Sequence, residues 1–344
     1  MYMSPVTKRR IQAFKSNKRA IWSLRIFMLL FIVSLFAEVI ANDRPVVVKY
    51  NGVLYYPFLK SYPETTFGGY FGTEPDYAET YVKELINKKG WIAWPAIKYR
   101  YDSTNYDLTQ PAPCPPNLKN WLGTDDQGRD VFARLIYGFR VSVLFGLCLT
   151  ITSSALGIAA GAIQGYFGGL ADLAGQRFME IWGGMPVLFL LIILSSFVEP
   201  NYGWLLAITL AFGWMALVGP IRAEFLKGRN LDYVKAARSL GITSTSIIFR
   251  HILPNALVAT LTFLPFLLTG AITTLTSLDF LGFGLPPGSA SLGELLAQGK
   301  ANLHAPWLGI SAFVTLAAML SMLVFIGEGL RDAMDPRHFS QRGQ

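Results

Sequence analysis

The sequence predicts an all-α polytopic membrane protein: six transmembrane helices with a small extracytoplasmic α/β insert. Three observations carry this. Hydrophobic residues make up 52% of the 344-residue chain and charged residues only 15%, where soluble domains average about 25% charged. The apolar residues gather into blocks of about 20 residues, enough to cross a hydrocarbon core about 30 Å thick. The charges are segregated as well. Residues 1–19 hold Lys8, Arg9, Arg10, Lys15, Lys18 and Arg19 and no acid. Residues 222–250 hold Arg222, Lys227, Arg229, Lys235, Arg238 and Arg250 against Glu224 and Asp232, while 42–138 balance eleven basic and eleven acidic residues.

Taken in order, the spans fall at about 20–41, 139–162, 176–198, 204–221, 256–278 and 307–327. An even number puts both termini on one side, and the positive-inside rule makes that side the cytoplasm for the basic tail 1–19 and the tail 330–344. Segments 163–175 and 222–255 are then inside, and 42–138, 199–203 and 279–306 outside. Both basic clusters face the anionic inner leaflet, so membrane lipid is their partner. Topology explains the net charge of +8 better than nucleic-acid binding, because no basic stripe carries interleaved aromatics. The apolar run Ala20 to Ala41 is too long for a signal-peptide core and is expected to stay as the first span. Cys114 and Cys148, in a Pro-rich loop and an apolar block, give no disulfide framework.

The segment 42–138 is an insert plus a pre-span amphipathic stretch. Val46 to Tyr50 and Val53 to Tyr56 flank Asn51-Gly52, the signal for a hairpin with a type I′ turn. Residues 76–88 place Ala78, Tyr81, Val82, Leu85 and Ile86 on one helical face, with Gly90 closing the helix. Pro111 to Pro116 reads as a stiff tether. The aromatics Tyr55, Tyr56, Trp91, Trp94, Tyr99 and Tyr101 suit a mini-core with an interfacial belt, or a docking surface for an extracytoplasmic partner. The transmembrane core, 139–329, opens with Gly157, Gly161 and Gly165 at four-residue spacing. Such a stripe lets another helix approach closely, in the same chain or a second one.

Catalytic chemistry finds no support. His251, His304 and His338 are isolated from one another and from cysteine, so no metal site is expected. No GxSxG elbow occurs. The stretch Gly293 to Ala301 has the wrong spacing for a phosphate loop and Ala301 in place of the metal-binding hydroxyl. Asp279 follows Thr273, Thr274, Thr276 and Ser277 at the outer end of the fifth span, and Glu38 ends the first. An acid there lines a pathway or gate, or is an interfacial group satisfied by amides near Gly282 and Gly284. The inner segment 222–255 is the most informative. Asp232 is a good N-cap and Gly241 a good C′ residue for a two-turn helix. Thr243 or Ser244 can cap a second helix, which Pro254 limits. Ala236 and Ala237 give the first helix a low profile suited to a partner's groove. The bland reading is a solvated loop.

The segment Asp232-Tyr-Val-Lys-Ala-Ala-Arg-Ser-Leu-Gly241 through Leu253-Pro254 resembles the EAA loop of bacterial ABC importer permeases. Ala236, Ala237, Gly241, Leu253 and Pro254 stand at the family spacing, with Lys235 and His251 where Glu and Ile are common. Further motifs resemble the dipeptide and oligopeptide branch: Trp121 to Asp130 with Arg134 and Tyr137-Gly138, Phe280 to Gly284, Ala305 to Leu308, and Arg331 to Pro336. The long insert is most similar to that of the YejE-type permeases of peptide and microcin C importers. The resemblance implies a non-catalytic subunit of the bacterial inner membrane that imports peptides or peptide-like compounds. It implies a second permease subunit in a heterodimer, cytoplasmic ABC ATPase domains that bind ATP and Mg, and a periplasmic substrate-binding protein. It places ATPase coupling on Asp232, Tyr233, Ala236, Ala237, Arg238, Gly241, Leu253 and Pro254, with Ala237 facing the ATPase groove. The main alternative is a secondary transporter or channel without an ATPase, a class that typically shows internal repeats. A membrane-tethered enzyme fits less well, since the insert has no histidine.

Overall fold

A computed structural model describes residues 5–108, 110–195, 197–198 and 201–334. The first helices are α1 (Pro5–Ser16), α2 (Lys18–Leu35) and α3 (Ala37–Ile40). Asn17 caps α2 by accepting from the Ala20 amide. Trp22, Ile26, Leu29 and Ile32 of α2 are exposed, as on a helix that faces lipid. The insert follows with β1 (Val47–Tyr50), β2 (Val53–Tyr55), α4 (Thr80–Asn87) and β3 (Gly90–Ala93). The bundle comprises α5 (Val131–Phe167), α6 (Gly169–Gly183), α7 (Val187–Ser195), α8 (Tyr202–Gly213), α9 (Met215–Gly228), α10 (Asp232–Ser239) and α11 (Ser244–Ser246). A π-helical turn at Ile247–Ile252 then leads into α12 (Leu253–Leu261), α13 (Leu264–Phe280), α14 (Leu292–Ala301) and α15 (Pro306–Met334).

Among the described residues, three helices are long and apolar enough to cross a membrane: α5, α15 and the run Tyr202–Gly228 formed by α8 and α9. Two further stretches qualify only as bent pairs, α6 with α7 at 63° and Ser244–Leu261 with α13 at 57°. The spans expected over 176–198 and 256–278 therefore fall on bent pairs. Pro186 precedes α7 and Pro265 lies in the first turn of α13, and proline fits a helix start but not its interior. The first expected span is shorter as well: α2 carries Lys18, Arg19 and Arg25 and stops at Phe36.

In the insert, β1 lies between β2 and β3 in an antiparallel sheet. Asn51 (φ 49) and Gly52 (φ 83) both adopt positive φ, the requirement of the type I′ turn. Val48, Tyr50, Phe67, Tyr77, Val82 and Ile86 form a small core beneath it. Two expectations need correcting. The helix covers only Thr80–Asn87, with Ala78 outside it and Tyr81 exposed. Gly90 does not close that helix but opens β3 opposite Tyr50, where a side chain would collide with the Lys49 carbonyl. Pro111 to Pro116 is anchored rather than a free tether: the Cys114 amide donates to Thr124 Oγ1 at 2.9 Å, and the Thr124 amide donates to the Cys114 carbonyl at 2.9 Å.

The glycine stripe meets α9 of the same chain. Gly157 faces Trp214 and Leu217, Gly161 faces Val218 and Ile221, and Gly165 faces Arg222 and Phe225. Small residues remove the side-chain layer between two helices and let backbone touch backbone, the main source of packing energy where lipid is as apolar as the core.

Candidate functional site

At the C-terminal end of α5, α10 and the helix after it form an elbow. Leu231, not Asp232, is the N-cap of α10; Asp232 is the first helical residue, where a negative charge still favours the dipole. Gly241 has φ 77. Its amide donates to the Arg238 carbonyl at 3.0 Å and the Ile242 amide to the Ala237 carbonyl at 3.1 Å, the paired bonds of a Schellman stop. Thr243 caps α11 by accepting from the Ser246 amide. Pro254 does not end the second helix. The π turn ahead of it absorbs the register change, and Pro254 sits in the first turn of α12, where a missing N–H costs little.

The two faces of α10 differ. Val234 and Ala237 are buried in a cluster with Ala162, Tyr166, Ile221, Phe225, Ile247, Ile252 and Ala256. Ala237 thus turns into the protein and not toward a partner, because it lies on the stripe with Val234 while Ala236 lies one residue around the helix. Tyr233, Ala236 and Leu240, spaced by three and four, form the outward stripe, with Tyr233 45% and Leu240 81% exposed. Ile242 and Phe249 add exposed apolar surface beyond the turn. The elbow is tied across its base, since Tyr233 Oη donates to the His251 carbonyl at 3.4 Å. Arg238 lies 5.6 Å from the Tyr166 ring centre. Lys235 pairs with Asp232 at 3.5 Å on the surface, an interaction of little weight. Leu253 is half-buried and Pro254 exposed.

At the other end of α5 lies a buried ion cluster for which the sequence offered only motif resemblance. Arg129 Nε meets Asp125 Oδ2 at 2.6 Å, and its guanidinium meets Glu294 Oε1 at 2.9 Å. Arg134 reaches Glu294 Oε2 at 2.9 Å and Asp125 Oδ2 at 3.5 Å, and donates to the Ser289 carbonyl at 2.9 Å. The side chains of Arg134 and Asp125 are 0% exposed. The cluster staples the segment before α5 to the first turn of α14. The close spacing of Asp125, Asp126, Arg129, Asp130 and Arg134 could have signalled part of it, but Glu294 lay 160 residues from Arg134 in the segment weighed only as a phosphate loop.

Asp130 caps α5, accepting from the Ala133 amide at 2.8 Å and from Asn120 Nδ2 at 2.8 Å. Burial pushes its carboxyl above the ordinary carboxylate range, and those two donors oppose the shift. The folded chain therefore holds this proton more tightly than the unfolded chain, and between the two values this group favours folding as pH falls. Asp130→Ala is expected to cost about 0.5–2 kcal/mol, the usual loss of an N-cap. A thermal midpoint in detergent unchanged from wild type would contradict it.

Asp279 is engaged by its own loop. Oδ1 accepts from the Leu285 amide at 2.7 Å and Oδ2 from Ser291 Oγ at 2.5 Å, while Ser291 Oγ caps α14 through the Glu294 amide. The amide it takes is that of Leu285, next to Gly284, as the reading of an interfacial acid held by nearby amides expects. Thr276 is buried and donates back to the Ile272 carbonyl, whereas Thr273, Thr274 and Ser277 are exposed along one stripe of α13.

A family model described as the binding-protein-dependent transport system inner membrane component matches residues 156–339. The chain is 58% identical over 334 residues to the inner membrane ABC transporter permease protein YejE of Escherichia coli K12, covering 97% of this chain and 98% of that protein. It is 54% identical over 361 residues to the peptidoglycan transport system permease protein YejE of Agrobacterium fabrum C58, covering 98% and 94%. It is 33% identical over 252 residues to the oligopeptide transport system permease protein OppC of Mycobacterium tuberculosis H37Rv, covering 72% and 85%. The matched family segment contains the elbow and the glycine stripe that packs α5 on α9, and likeness at this level runs almost from end to end: the chain belongs to the family of binding-protein-dependent transport system inner membrane components.

Proposed function

We propose that this chain is one of two different permease subunits of an ABC importer for peptides or peptide-bearing cell-wall fragments. Cytoplasmic ATPase subunits bind ATP and Mg and dock on the elbow, and a periplasmic binding protein delivers substrate to the opposite side. The chain crosses the membrane six times with both termini in the cytoplasm, and the insert lies outside. Thr274 and Ser277 line the pathway, because hydroxyls on an exposed stripe of a membrane helix need water or a partner to face; Thr273 lies on the same stripe with its hydroxyl donated to the Thr269 carbonyl at 2.9 Å. Asp279 shapes the loop behind that stripe.

The observation that carries this reading is the division of α10. Its Val234–Ala237 face is packed into the bundle while Tyr233, Ala236 and Leu240 stand outward on a helix fixed at its base. Apolar side chains on a rigid, cytoplasm-facing projection suit a groove on a partner. In the purified complete complex, Leu240→Asp is expected to abolish substrate-stimulated ATP hydrolysis while the chain inserts normally. Retained stimulation would remove the dock from α10. Ala237→Glu is expected to fail earlier, at folding, because it buries a charge in an apolar cluster. Topology is checked by cysteine labelling at Asn51 and Ser244, and labelling of Asn51 from the cytoplasmic side alone would sink the six-span arrangement.

A further inference from the structure

The turn between α5 and α6 rests on two successive glycines, Gly168 at φ 66 and Gly169 at φ 52. Backbone of this kind, twice in succession, disfavours any residue with a Cβ. At Gly168 a Cβ would also meet the Arg229 guanidinium. Arg229 stands at the C-terminal end of α9, directly before the elbow. Its Nη1 donates to the carbonyls of Gly165 and Tyr166 at 3.2 and 3.3 Å. These carbonyls belong to the last turn of α5, where no helical amide remains to meet them and the dipole is negative. Two turns earlier on α9, Arg222 binds Asp172 in the first turn of α6 with both prongs, at 2.5 and 2.6 Å.

Two observations make α6 the element that these arginines control. It buries none of its residues, and its two halves are held differently: the first two turns by the Arg222–Asp172 pair and a 2.7 Å bond from Gln176 to Gln164, the last by Phe178 and Trp182, which stack on Trp214 and Phe212, and by the Trp182 indole N–H, which donates to the Ala211 carbonyl at 2.8 Å. It is also the first arm of the bent pair α6–α7. On the elbow side, Arg238 covers the ring of Tyr166. Tyr166 is buried in the elbow cluster, and its hydroxyl finds no hydrogen-bond partner among the described residues. A buried hydroxyl without a partner is costly, so this part of the elbow cluster is held by packing and not by that hydroxyl.

We infer that Arg229 and the Arg222–Asp172 pair are positioning residues that carry displacement of the elbow to α6, with Gly168-Gly169 as the hinge. This rests on the reading of α10 as the ATPase dock. The geometry divides the labour: the outward stripe of α10 receives the motion, and the arginines pass it across the end of α5 to the first turns of α6, which polar bonds hold, while the aromatic stack at the far end of α6 keeps that end against α8 and α9. Such a linkage moves a helix as a rigid body.

The test uses the complete complex in proteoliposomes with an oligopeptide bound to its soluble partner. In R229Q and D172N, subunit stoichiometry and ATP hydrolysis are expected to stay near wild type, while peptide transported per ATP falls about tenfold, within the usual range of a coupling energy. Exchanging the pair, Arg222→Asp with Asp172→Arg, is expected to restore a large part of that ratio. Spin labels at Leu156 on α5 and Ile181 on α6, both exposed, should change separation on ATP binding in the wild type and not in R229Q. An unchanged transport ratio in both single variants would overturn the inference. So would loss of assembly or of hydrolysis along with transport, because the residues would then be structural or part of the dock itself. Failure of the dock reading shows separately, as Leu240→Asp leaving stimulated hydrolysis intact.

Discussion

Gly161→Leu is expected to abolish recovery of folded chain from the membrane. A Cβ at Gly161 would lie 2.8 Å from Ile221 Cβ and 2.9 Å from the Val218 carbonyl oxygen. Neither is the far end of a flexible side chain, so the helices themselves would have to part. Overpacking typically costs about 1–3 kcal/mol and more where backbone must move, and separation here would also unseat Gly157 and Gly165. The contact lies within one chain, so the defect should appear in the isolated subunit and not only in the complex. Gly219 on α9 serves as the contrast, because nothing stands within 4 Å of its Cβ position. Gly219→Ala in the isolated chain is expected to be neutral or stabilising by up to about 1 kcal/mol, the helix preference of alanine over glycine. Thermal unfolding in detergent with intact-chain yield measures both. Equal yields for Gly161→Leu and wild type would show that α5 and α9 do not depend on this approach.

Arg134→Met carries the second large effect. It leaves Asp125, fully buried, with one cation, Arg129, beside the Gln127 and Arg129 amides, and it strips Glu294 Oε2 and the Ser289 carbonyl of their Arg134 donor. Removing one partner from a buried ionic cluster costs about 3–5 kcal/mol, because the remaining charge stays desolvated. Glu294→Gln is expected to cost less, since Glu294 is 24% exposed and water can replace what it loses. If Arg134→Met shifts the unfolding midpoint no more than Glu294→Gln does, the cluster is not what holds α14 to the start of α5.

Much of the local architecture was legible because it is decided by neighbours in the chain. Asn51-Gly52 specified its turn through two positive φ values, and Gly241 its helix stop, since each conformation suits few other residues. Hydropathy marked the apolar blocks that became α5, α8–α9 and α15. What it could not mark was where a block bends, because a broken helix and a straight one carry the same apolar residues.

By itself, then, the sequence determined the membrane class, the hairpin, the short helix ending at Gly241 and the family likeness. The tertiary structure decided which face of each helix is used. Ala236 and Ala237 are identical in chemistry, and only the seat formed by Tyr166, Ile221 and Phe225 turns one inward and leaves the other exposed. It decided that the glycine stripe meets α9, that Gly90 opens a third strand, and that Arg134 finds Glu294 across the fold. The physical reason is common to all of these. Backbone conformation answers to the few residues on either side, whereas burial and ion pairing answer to whatever the chain brings alongside, and between apolar helices many alignments are nearly equal until close contacts and buried charges select one.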